Sequence, residues 1–163
     1  MKSSKNAIVS GIIGILVAVC LSAQEVNPVA YVQTDQFKIA NITLGSHIIE
    51  AEKAFGKPDS IEAVPSKLDS IEEQIYYFNG IIALVSNERI TRLECFTPKY
   101  KTPKGLKVAD SISKLFKIMG KSEIWIIENH KEVHYALWPP CDTYMIFEIQ
   151  NDKIVKIILD YVP

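Results

Sequence analysis

The sequence predicts an α+β protein made of two tandem units. Each is a short helix followed by an antiparallel meander, with the helices packed on one face of the sheets. Three observations carry this reading. Gly56-Lys57 recurs as Gly120-Lys121, and Asn87-Glu88-Arg89-Ile90 recurs as Asn151-Asp152-Lys153-Ile154, both at a step of 64 residues. After each of these glycines the hydrophobic spacing changes from a helical period to a strand period. Asn-Gly and Asn-acid pairs then punctuate the strand-rich stretches.

Residues 1–23 are set aside before any fold argument. Lys2 and Lys5 give a basic start, Ala7 to Leu21 is a 15-residue apolar run, and Leu21-Ser22-Ala23 ends on a small residue. This is the order of features in a secretory signal, and the run falls short of the ~20 residues that a spanning helix needs. Cys20 raises a second form of export. Val17-Ala18-Val19-Cys20 places a branched valine where a lipoprotein box has a small residue, and lipidation there would tether the product to a membrane. The expected location is periplasmic or secreted, with a membrane anchor only if Cys20 is lipidated.

Residues 24–41 are read as an N-terminal arm, loose or forming an edge strand. Unit 1 covers residues 42–97. Its helix carries Ile48, Ala51 and Phe55 as one apolar stripe, with His47 at its start, and Gly56 and Pro58 end it. Strands follow near 71–78, 81–86 and 90–96, joined at Asn79-Gly80 and Asn87-Glu88. Residues 98–105 are a Pro- and Lys-rich linker expected to run over the surface. Unit 2 covers residues 106–163. Asp110 is its expected N-cap, Ile112, Leu115, Phe116 and Met119 its stripe, and Gly120 its end. Strands are expected near 123–128, 132–138, 143–150 and 153–161.

Charge and composition exclude several functions. Without Lys2 and Lys5 the chain has 16 basic and 19 acidic side chains and no basic cluster, which argues against nucleic acid. His130 and His134 are four apart on strand-and-turn backbone, a spacing that gathers zinc ligands on helices, so no metal site is expected. Gly-x-Ser-x-Gly and glycine-rich phosphate loops are absent, and no cofactor is expected. Cys95 and Cys141 remain after the signal. Export favours their pairing as a disulfide, whereas the core-facing register of Cys95 favours a buried thiol.

Strand alternation supplies the binding candidates. Thr91, Leu93 and Cys95, with Val155, Ile157 and Leu159, should face the helices, leaving Arg92, Glu94, Lys156 and Asp160 on the open face. His134, Ala136 and Trp138 share a face opposite Val133, Tyr135 and Leu137. Trp138, beside Pro139-Pro140, either anchors an interface or folds over the sheet edge and seals it, and the candidate protein-binding residues are Trp138, Arg92, Lys156 and His134.

Several motifs together resemble the β-lactamase-inhibitor-protein fold, which is shared with the SmpA/OmlA outer-membrane assembly lipoproteins. They are Ile42-x-Leu44-Gly45-Ser46, Phe55-Gly56-Lys57-Pro58-Asp59, Gly105-Leu106-x-Val108-x-Asp110-Ser111 and Met119-Gly120-Lys121, with the two closing hairpins. The likeness spans residues 42–161 and implies architecture and protein binding. The inhibitor proteins have a disulfide inside each repeat; here Cys95 matches Leu159 and Cys141 matches Tyr77 at the 64-residue step. The leading expectation is a non-catalytic module binding an unknown protein partner. A second is a lipid-anchored envelope assembly protein, and a third is a small enzyme using Cys141 and His134.

Overall fold

The computed structural model describes residues 29–64, 73–127, 130–139 and 141–161. The elements are β1 (Ala30–Gln33), α1 (Ile48–Phe55), β2 (Ser60–Val64), β3 (Glu73–Phe78), β4 (Ile81–Ser86), β5 (Arg89–Cys95), α2 (Ile112–Met119), β6 (Ile124–Ile127), β7 (His130–Trp138), β8 (Thr143–Gln150) and β9 (Lys153–Tyr161). The expected signal at 1–23 and the lipidation candidate Cys20 lie outside the described residues. None of the described helices is long and apolar enough to cross a membrane.

The expected fold class is corrected here. The nine strands form one mixed sheet in the order β1-β7-β8-β9-β5-β4-β3-β2, with β6 also beside β7, rather than two helix-and-meander units. The seam is the antiparallel pair β5–β9, in register at Leu93↔Leu159, Glu94↔Ile158 and Cys95↔Ile157. Either strand alone would be an edge with an apolar face and unpaired backbone groups, and pairing them removes both edges. The N-terminal arm contributes β1, which runs parallel to β7 from Ala30↔Tyr135 to Gln33↔Trp138 and makes the sheet mixed. Strand β2 was not foreseen; it pairs with β3 from Ser60↔Tyr77 to Val64↔Glu73.

The two eight-residue helices lie on one face and close a continuous core. Ile48, Ala51, Phe55 and Leu115 join Leu93, Tyr135, Phe147, Ile157 and Leu159 there. Ile112, Phe116 and Met119 are only partly buried against it. The N-cap of α2 is Ser111, whose hydroxyl accepts from Lys114 N–H at 3.1 Å; the expected cap, Asp110, instead accepts from Lys107 N–H and pairs with Lys114 Nζ. Each helix enters from the closing hairpin of its half: Ile48 N–H donates to Glu88 O and Ile112 N–H to Asp152 O, both at 3.0 Å. Gly56 and Gly120 end the helices at φ 99° and 85°, with ψ near −173° and 165°. These angles are extended and almost reserved for glycine, not the left-handed helical pair expected for a cap.

Two β-bulges alter the expected facing of the closing strands. The partner of Val85 is Ile90 while that of Leu84 is Arg92, so Thr91 is extra on β5; Val155 is extra on β9 in the same way. A bulge shifts the alternation by one residue. Ile90 and Ile154 are therefore buried, and Thr91 and Val155 lie half-buried instead of in the core. The linker is not wholly superficial either. Tyr100 is buried edge-on to Phe55, with ring centroids 5.0 Å apart, and the Thr102 hydroxyl accepts from Leu106 N–H.

Candidate functional site

The face of the sheet away from the helices has two zones. On β5, β9 and β8, Arg92 pairs with Glu94 at 2.7 Å and with Asp160, and Lys156 pairs with Glu148 at 3.0 Å and lies 3.7 Å from Glu94. The zone is a lattice of alternating charge, built because these residues occupy neighbouring rows of antiparallel strands. Burial pushes the Asp160 carboxyl above the usual range, with the Arg92 charge working against that rise.

Beside the lattice is a hollow of about 510 Å³. Its floor includes Ile146 and Ile158, which are buried yet stand outside the helix-side core. Trp125 and Ile127 of β6 form one wall, with Tyr144 and Val29 nearby, and Arg92, Glu132, His134, Asp142 and Asp160 supply polar groups. His134 lies nearly parallel to Trp125, centroids 5.5 Å apart and planes at 19°, and is tilted against Tyr144 at 6.0 Å.

Glu132 fixes this aromatic group. His134 Nε2 lies 2.7 Å from one carboxylate oxygen and His130 Nε2 lies 3.1 Å from the other. Residues 130, 132 and 134 share a strand face, so period-two geometry brings both rings to the intervening glutamate. Burial raises the carboxyl's pKa, but hydrogen bonds and charge from His134 and His130 outweigh it and hold Glu132 below its ordinary range. Among the described residues, no group of three or more His, Cys, Asp or Glu side chains is arranged to hold a metal ion.

The sequence candidates separate. Arg92 and His134 both line the hollow. Lys156 is held in the charge lattice and lies over the Phe96 ring, 5.1 Å from its centroid. Trp138 is 47% exposed, but it stands at the end of β7 edge-on to Tyr31, centroids 5.2 Å apart, outside the hollow. Cys95 and Cys141 are free thiols, so of the two alternatives the structure has the buried thiol at Cys95 rather than the disulfide. Cys95 is buried on β5 with its thiol donating to Thr97 O, and burial raises its pKa. Cys141 is exposed before β8, far along that strand from the row of Cys95. It lines a second hollow of about 280 Å³ with Tyr31 and Asp142.

Trp125, Glu132, Tyr144, Ile146 and Ile158 were missed as site residues. The signal for three of them was present: Tyr144-Met145-Ile146-Phe147 and Ile157-Ile158-Leu159 are apolar on both faces of their strands. Such runs mark strands covered on both sides.

No family model matches the chain, and no curated protein does. Likeness to solved structures is partial. An extracellular protein containing an SCP domain from Bacillus anthracis is 13% identical with a TM-score of 0.48, over 72% of this chain and 43% of the other. A cysteine-rich secretory protein from Staphylococcus aureus is 11% identical with a TM-score of 0.46, over 82% and 50%. The chain thus spans half or less of the length of these two. A Streptococcus mutans chain described as a "putative beta-lactamase inhibitor protein" is 15% identical with a TM-score of 0.33, over 81% and 91%. None of these likenesses extends to the SmpA/OmlA lipoproteins.

Proposed function

We propose that this chain is an exported, non-catalytic module that holds a protein partner on the open face of its sheet. The observation that carries the reading is the hollow on that face, with its floor of Ile146 and Ile158 and its ordered aromatic wall of Trp125, His134 and Tyr144. A small apolar concavity with fixed aromatics and a rim of paired charges has the make-up of an interface centre. The export-signal pattern at residues 1–23 supports delivery outside the cytoplasm. His134 Nε2 is engaged by Glu132, and Cys141 lies in the neighbouring hollow; this supports binding over catalysis by that pair.

The test is affinity capture from the secreted and envelope fractions of the native cell, followed by titration of the captured protein. Trp125→Ala should weaken the complex by ~2 kcal/mol or more. Ile49→Ala, on the exposed side of α1, should leave it unchanged. A partner lost through Ile49→Ala and kept by Trp125→Ala would place binding on the helix side and overturn the reading.

A further inference from the structure

Trp125 and Ile127 of β6 wall the hollow, and the outer edge of the same strand identifies the kind of partner. Its four residues, Ile124, Trp125, Ile126 and Ile127, are 42%, 48%, 78% and 38% exposed. Among the described residues, β6 pairs only with β7, from Ile124↔Val133 to Ile127↔His130. The direction of its backbone groups follows from one bond: His134 N–H donates to Glu123 O at 3.4 Å. Hydrogen-bonded positions alternate along an antiparallel pair. Trp125 and Ile127 therefore turn their backbone groups toward β7, while Ile124 and Ile126 turn theirs outward.

Edge strands are ordinarily protected by charge, proline or a bulge. The opposite edge, β2, carries Glu62. Ile-Trp-Ile-Ile has no charge, proline or bulge and only its four-residue length as protection, so outward backbone groups and exposed apolar side chains coincide on β6. On the open face, Trp125 and Ile127 stand at the wall of the hollow, whose ionisable groups are Glu132, Asp142 and Asp160 against Arg92 and His134.

We infer that the edge of β6 that is unpaired among the described residues takes up an extended segment of the partner protein as an added strand, one that alternates apolar and basic residues. The edge supplies main-chain hydrogen bonds, and the excess of carboxylates selects lysine or arginine at the positions over the hollow, where the cation also meets the Trp125 ring. A second copy of this chain fits less well. Pairing β6 with its own copy would set two hollows of like sign on one face of a joined sheet. The inference rests on the open-face reading and adds to it the chemistry of the partner.

The experiment uses the ¹⁵N-labelled full chain and two capped peptides, one alternating valine with lysine and one alternating valine with glutamate. The lysine peptide should slow amide exchange at Ile124 and Ile126 by about tenfold or more, with the glutamate peptide having little effect. Ile126→Pro removes one outward N–H without touching the β7 ladder and should weaken lysine-peptide binding at least about tenfold, whereas Ile126→Thr keeps the N–H and should bind. Absent binding, binding without protection of those two amides, or equal binding by Ile126→Pro overturns the inference. So does self-association of the chain that Ile126→Pro abolishes. Should Ile126→Pro fail to fold, protection in the unsubstituted chain decides alone. A captured partner sensitive to Trp125→Ala but indifferent to Ile126→Pro would sink the added strand while leaving the open-face reading standing.

Discussion

Leu93 of β5 lies opposite Leu159 of β9, both fully buried, and this pair lies at the seam that joins the two halves of the chain into one sheet. The core is continuous across it, from Phe55 and Ile81 on one side to Val133 and Phe147 on the other. A structure built this way should unfold as one unit. Leu93→Ala removes side-chain volume from a site with no solvent access and should cost about 2–5 kcal/mol. Denaturant unfolding followed by circular dichroism and by tryptophan fluorescence should give coincident single transitions before and after the substitution. Two separated transitions would contradict a shared core.

Gly80 illustrates a turn whose requirement is steric as well as conformational. Its φ is 81°, and an added Cβ would stand 2.6 Å from the Thr97 Cβ. Asn79 does not share the positive φ, so the Asn-Gly pair uses its left-handed allowance only at the glycine. Gly80→Ala should destabilise by roughly 2–4 kcal/mol, combining the left-handed penalty with displacement of the chain at Thr97. Gly80→Ala with Thr97→Gly should recover the steric part only. A melting temperature unchanged by Gly80→Ala would show that the turn relaxes freely.

The local elements were legible because each rests on a local rule. Ile48, Ala51 and Phe55 lie on one helical face, Gly56 and Gly120 take positive φ, and the second hairpin turns at Asn151-Asp152 as its residues suggest. The sheet's assembly was not legible, because β5–β9 and β1–β7 join residues far apart in sequence, and nothing local selects them. The bulges at Thr91 and Val155 escaped notice for a related reason. Strict alternation has no place for a residue that a strand accommodates as an extra. Strand alternation puts Arg92 and His134 on the open face, where both line the hollow, but it gives no sign that Glu132 joins the two histidines beside it. Trp125 was overlooked because a four-residue apolar strand shows no clear polar and apolar side.

The Glu132 bridge makes a prediction about acid. Both of its oxygens face imidazole nitrogens, and the net result is a carboxyl held below its ordinary range in the folded protein. Such a group contributes stability that is fully present above its unfolded value, about 4.3 for glutamate, and is lost as pH falls through the folded value. Glutamine at this position keeps the shape and some hydrogen bonding but cannot carry the charge. At pH 7 the unsubstituted protein should therefore melt above Glu132→Gln, and the gap should close as the pH drops below the ordinary glutamate range. Asp160 works in the opposite sense, since its carboxyl is raised, chiefly by burial, so the acid response of the unsubstituted chain mixes both signs. The difference between the two proteins isolates Glu132. Melting curves recorded from neutral pH down to about 3 would check it, and a gap that persists unchanged across that range would show that the bridge to His130 and His134 adds no charge-dependent stability.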